Sequence, residues 1–109
     1  MTIDRSPQGS SASGIRRLRF RDNSDASRFE LHDGASVVAS LSYSLHEARI
    51  ILLDTAVHAS YRGADLQTQL IMQVLDDADR RRLSIVASCQ YTREFLKVFP
   101  RYQGLVEVA

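Results

Sequence analysis

From Val37 to Leu45 every second residue is apolar: Val37, Ala39, Leu41, Tyr43 and Leu45, with Ser40, Ser42, Ser44 and His46 interleaved. A period of two puts one face of a strand in a core and the other in water, so the five apolar residues should share a buried face. Upstream, Ile15 to Phe20 alternates weakly and reads as an edge strand. Asn23 to Ser27 reads as a turn, and Arg28 to His32 as a short strand with Phe29 and Leu31 apolar. Asp33-Gly34 between two such runs is a hairpin signal, because that pair accepts positive φ. His46-Glu47-Ala48 turns the chain again, into Arg49 to Val57, where Ile50, Ile51, Leu52 and Leu53 are consecutive. An apolar run on both faces predicts a central strand covered on both sides.

From Leu66 the period changes. Leu66, Leu70, Ile71, Val74, Leu75 and Ala78 recur at helical spacing, with Gln69, Gln73, Asp76, Asp77 and Arg80 on the other side. The helix is expected to end near Arg82. Ser84 to Ser88, centred on Ile85, Val86 and Ala87, reads as a short buried strand. Strand, helix, strand in that order predicts a right-handed crossover between parallel strands. Tyr91, Phe95, Leu96 and Phe99 predict a second helix that Pro100 stops, and Tyr102 to Val108 reads as a last strand. The fold class is α+β: a mixed, mostly antiparallel sheet with two main helices.

Composition narrows the function little. The chain has 109 residues, 44% of them hydrophobic and 25% charged, which suits one small globular domain. A net charge of +1 gives no overall basic field for nucleic acid or an acidic membrane. The run Arg80-Arg81-Arg82 reads as the solvated end of a helix, where cations suit the macrodipole. Cys89 has no second cysteine to pair with, which fits a reducing, cytoplasmic setting. His32, His46 and His58 are scattered and give no metal-ligand spacing. Residues 1–14 lack the apolar core of a secretory signal and are expected to be a flexible tail before a domain over residues 15–109. No apolar run reaches membrane-spanning length, and either a monomer or a homodimer is compatible with the sequence.

The stretch SYRGADLQTQL, Ser60 to Leu70, joins the central strand to the long helix. A helix N-terminus presents free N–H groups and a positive dipole end to an anion. Here the sequence resembles the small, single-domain branch of the GNAT acetyltransferases, from about Ile15 to Val106. RFELHDG (Arg28 to Gly34) is similar to the family's opening hairpin, and LSYSL (Leu41 to Leu45) to its second strand. IILLDTAVHASYRGADL (Ile50 to Leu66) resembles its central strand and cofactor loop. CQYTREFLKVFPRY (Cys89 to Tyr102) resembles its closing segment, the most specific of the four matches.

The resemblance implies transfer of an acetyl group from acetyl-CoA to an amine. Backbone groups of Leu53, Thr55 and Val57 would meet the pantetheine arm. The loop Arg62, Gly63, Ala64, Asp65, Leu66 and Gln67 would hold the pyrophosphate. Cys89 and Asp54 are the catalytic candidates, and Tyr91 and Arg93 would contact the cofactor. The family's loop pattern is Gln/Arg-x-x-Gly-x-Gly/Ala. Arg62 matches its first position, while Asp65 and Gln67 stand where a glycine and a small residue are expected. Asp54 stands where this branch often has histidine, Gln90 where a proline follows the cysteine, and Phe99 where a histidine precedes the closing proline. Asp65 tolerates positive φ but brings a negative charge toward the phosphates. It is also a favoured N-cap, whose carboxylate would occupy the N–H groups a phosphate needs. Two readings follow: an N-acetyltransferase of unidentified amine acceptor, or a catalytically inactive binding module of the same fold that has lost the pyrophosphate loop.

Overall fold

The computed structural model describes residues 18–61 and 65–107. The expected tail, residues 1–14, and the start of the expected edge strand at Ile15 lie outside them. Along the chain run β1 (Arg19–Asn23), β2 (Arg28–Asp33), β3 (Ser36–His46), β4 (Arg49–Val57), α1 (Leu66–Arg80), β5 (Ser84–Ala87) and α2 (Gln90–Val98). A 3-10 segment, Pro100–Leu105, follows α2. The strands form one five-stranded sheet in the order β1-β2-β3-β4-β5. All neighbours are antiparallel except β4 and β5, which are parallel and joined through α1. This is the expected mixed α+β architecture.

Alternation and helical spacing meet in one core. Phe29, Leu31, Leu41, Ile50 and Leu52 of the sheet pack with Leu66, Leu70, Ile71, Val74 and Leu75 of α1 and Phe95 of α2. Both helices therefore cover the same face of the sheet. That corrects the expectation of a central strand covered on both faces: Ile50 and Leu52 are fully buried, whereas Leu53 is 45% exposed.

Two β-bulges shift the faces in ways the sequence pattern does not show. In β3 the partners step from Leu31↔Ala39 to His32↔Val37, so Val38 is the extra residue. Val38 takes the buried place and Val37, expected inside, is 36% exposed. In β4 the partners step from Ser42↔Asp54 to Tyr43↔Leu52, so Leu53 is the extra residue. Leu45, also expected inside, is 40% exposed beside the hairpin turn at Glu47.

The C-terminal end of α1 is closed by its own backbone. Arg82 has φ 59° and its N–H donates to Asp79 O at 3.0 Å, while the Leu83 N–H donates to Ala78 O at 2.9 Å. This paired closure reverses the chain into β5. The arginine run does more than meet solvent: Arg80 and Arg81 both bind Asp77, and Arg81 reaches Asp22 of β1 at 3.1 Å. Asp22 in turn accepts the Tyr43 hydroxyl at 2.6 Å. Most of the expected last strand is replaced by the 3-10 segment; after it Val106 bridges to Ile85 and the Glu107 N–H donates to Ile85 O at 2.7 Å. The cause is local: the Tyr102 ring packs 5.3 Å from Phe95, which ties the segment to α2 instead of to the sheet edge. None of the described helices is long and apolar enough to cross a membrane.

Candidate active site

The sheet opens beside β4. β4 has nine residues and β5 only four. Their pairing runs from Arg49↔Ser84 to Leu52↔Ala87, and a final bond joins the Ser88 N–H to Leu52 O at 3.0 Å. α2 begins at Gln90, so the chain must leave the sheet there. Beyond Leu52, the β4 edge from Leu53 to Val57 has no strand neighbour on that side among the described residues. Its other edge remains paired with β3 as far as Ala39↔Val57. A wedge is left between the end of β4 and the first turn of α2.

Thr55 and Cys89 close the inner end of this wedge. Thr55 Oγ1 and Cys89 Sγ lie 3.1 Å apart, with the thiol 2% exposed. Cys89 occupies the N-cap position of α2 in an extended conformation, and its side chain makes no cap bond. Asp54 does not join them. Successive strand residues point to opposite faces, and Asp54 is exposed on the side away from the helices while Thr55 is buried. The two catalytic candidates thus stand on opposite sides of β4.

The N-terminus of α1 corrects one expectation. Asp65 sits at the N-cap with φ 59° and ψ 34°, and its carboxylate makes no cap bond. Its backbone already serves the helix, because Gln69 N–H donates to Asp65 O at 3.3 Å. The left-handed conformation explains the difference: it turns the Asp65 side chain out of the extended geometry in which an N-cap reaches back to the helix N–H groups. Arg62, Gly63 and Ala64 lie outside the described residues. Leu66 is buried in the core, so only its backbone faces the helix end.

Between α1 and α2 runs a cleft of about 290 Å³, lined by Asp65, Gln67, Thr68 and Ile71 on one side and Tyr91, Glu94 and Phe95 on the other. Asp65, Gln67 and Tyr91 are thus brought together, with Tyr91 half exposed above the cleft. Arg93 is not: it lines a separate hollow with Leu96, Lys97 and Gln103 and donates to Ser88 O at 3.2 Å. Two residues along a helix lie on different faces, which separates it from Tyr91. Thr92, between them, is fully buried and its hydroxyl has no partner.

A second polar group was not singled out in the sequence. On the face of the sheet opposite the helices, the buried Glu30 accepts from Arg28 Nε at 2.5 Å and Asn23 Nδ2 at 3.0 Å, and lies 2.7 Å from His32 Nε2. Burial alone would push the Glu30 carboxyl up; the bonds from Arg28, Asn23 and His32 outweigh it and hold it at about 2. The signal was present as Arg28, Glu30 and His32 at alternate positions of a strand, interleaved with Phe29 and Leu31.

A family model described as GCN5-related N-acetyl-transferase matches residues 28–105, well over half of the chain. Among solved structures, a GCN5-like chain from Staphylococcus aureus, determined by NMR, is similar with a TM-score of 0.61 and 19% identity, over 87% of this chain and 93% of that one. The ribosomal-protein-S18-alanine N-acetyltransferase from Escherichia coli is similar with a TM-score of 0.56 and 16% identity, over 81% of this chain and 56% of that one. At these identities the likeness is one of fold. No curated protein matches the chain in sequence.

Proposed function

Because the chain belongs to the GCN5-related N-acetyltransferase family, we propose that it transfers an acetyl group from acetyl-CoA to an amine. The observation that supports this reading is the pairing of two backbone features: a β4 edge that beyond Leu52 has no strand neighbour among the described residues, and an α1 N-terminus that the Asp65 carboxylate does not cap. A pantetheine arm has amides that suit the first, and a pyrophosphate suits the second. The residues present fit an acyl-CoA in backbone chemistry, while Asp65 and Glu94 bring two carboxylates to the neighbouring cleft.

When bound, the thioester supplies an activated acyl carbon. The chain contributes position and polarity. The Leu53–Val57 backbone would hold the arm in register, with Thr55 and Cys89 as the wall where it stops. The N–H groups at the start of α1 would carry the phosphates. The amine nitrogen bonds to the acyl carbon, the carbon–sulfur bond breaks, and the thiolate takes up a proton as the amine loses one to solvent. Direct attack needs no covalent enzyme intermediate, so Cys89 acts here by position. Asp54, exposed on the other side of β4, would face the incoming amine.

Titration with acetyl-CoA, followed by thermal unfolding, tests the reading. At 100 times its dissociation constant a ligand of the native state adds about 2.7 kcal/mol of stability. No shift at millimolar acetyl-CoA sinks the enzyme and leaves a binding module of the same fold.

A further inference from the structure

α1 and α2 frame the donor side of the wedge, so an acceptor would arrive from the face of the sheet opposite the helices, where Asp54 and Arg28 are accessible while Glu30 and His32 are buried. What lies on that face has a definite polarity. One row of directly paired residues crosses it: Arg28↔Ser42 between β2 and β3, and Ser42↔Asp54 between β3 and β4. Asp54 borders the wedge and makes no side-chain bond, while its main-chain oxygen accepts from Ser42 Oγ at 3.3 Å. Two strand spacings, about 10 Å, separate it from Arg28. Arg28 gives its Nε to Glu30, and no described group binds its two terminal nitrogens. Glu30 is engaged by Arg28, Asn23 and His32; it fixes the guanidinium and offsets its charge, leaving the terminal nitrogens as oriented donors. Beyond Arg28, Arg19 and Arg21 of β1 are exposed opposite His32 and Glu30. The face is negative at the wedge, offers the free guanidinium donors of Arg28 about 10 Å away, and is positive beyond them at Arg19 and Arg21.

We infer that the acceptor is the N-terminal amine of a peptide with an acidic side chain at its third residue. This rests on the acetyltransferase reading for the reaction, but not for the binding. An extended peptide advances about 3.3 Å per residue, and its first and third side chains share one face. With the amine at Asp54, the third side chain of an extended peptide lies over Ser42 and its carboxylate reaches toward Arg28. A guanidinium with two free terminal nitrogens suits a carboxylate in a bidentate pair. A free amino acid is too short to span the row.

The test is direct binding. Pentapeptides labelled with fluorescein at the C-terminus, carrying glutamate, glutamine or lysine as the third residue, are titrated with the full chain and followed by anisotropy. The glutamate peptide is expected to bind at least ten times more tightly than the glutamine one, with lysine weakest. Acetylating its N-terminus, or Asp54→Asn, should weaken it several-fold. Arg28→Gln should erase the difference between glutamate and glutamine. Equal affinity for the three peptides in the unaltered chain overturns the inference without any variant, as does a glutamate preference that survives in folded Arg28→Gln. If acetyl-CoA fails to bind while the preference holds, the reaction is wrong and the peptide site stands; the reverse pattern removes only the peptide site.

Discussion

The Thr55 hydroxyl and the Cys89 thiol meet at 3.1 Å across the gap where β4 and the first turn of α2 part. Both residues are buried, Thr55 8% and Cys89 2% exposed. Cys89→Ala should therefore cost about 1 kcal/mol of stability, comparable to the loss of one buried methyl-sized group. It should retain at least a tenth of any acetyltransferase turnover. Urea unfolding and initial rates check both. A folded Cys89→Ala chain with no turnover, together with an acetyl adduct on the unaltered thiol by mass spectrometry, would establish a covalent relay instead.

In the proposed placement of acetyl-CoA, Asp65 brings a negative charge beside the phosphates. Asn keeps the left-handed backbone within reach and removes that charge. At about 5 Å, one unit repulsion in water is roughly 0.8 kcal/mol, a factor of about four. Asp65→Asn should tighten acetyl-CoA by several-fold in calorimetric titration, and the gain should shrink in high salt. Asp65→Ala should lower stability by about 1 kcal/mol, because φ 59° disfavours a side chain without a local polar group. An unchanged affinity for Asp65→Asn removes the pyrophosphate from this helix end.

Glu30 sets an acid limit. Its folded carboxyl is held at about 2, against an ordinary value of 4.5. A depressed carboxyl stabilises the fold above its unfolded value, and that contribution is lost as pH falls from about 4.5 toward 2. The difference corresponds to about 3 kcal/mol. Between pH 5 and 2.5 the unaltered chain should lose markedly more stability than Glu30→Gln, by denaturant midpoints at each pH. Parallel curves would show that the three donors contribute nothing net.

Tyr43 sets the alkaline counterpart. Burial, with the bond to Asp22, pushes its phenol up to about 12 from 10. A raised group contributes fully below its unfolded value, and its share is lost as pH climbs from about 10 through 12. Tyr43→Phe should cost about 1 kcal/mol near neutral pH for the lost bond. It should also flatten the alkaline fall in stability over that interval.

Much of the fold could be read from periodicity. The spacing of Leu66, Leu70, Ile71 and Val74 fixed α1, and the alternation through Phe29, Leu31, Ala39 and Leu41 fixed the inner face of the sheet. The bulges at Val38 and Leu53 could not be read, because one extra residue in a ladder depends on how a partner strand aligns. They explain why Val37 and Leu53 face outward despite an apolar context. The two-sided appearance of Ile50 to Leu53 misled for another reason: strand hydrophobicity does not say on which face the helices will land. At the site, the pairing of Cys89 with Thr55 needs residues 34 apart in sequence to meet, which no local pattern encodes. The uncapped Asp65 follows from a backbone conformation that its residue type permits but does not require.

The shortness of β5 has a second consequence. The Leu53–Val57 edge, which has no strand neighbour among the described residues, is a template on which a strand from another molecule can zip. A donor lying along it would act as a removable blunt edge. The chain would then be most prone to self-association when its thioester supply runs low.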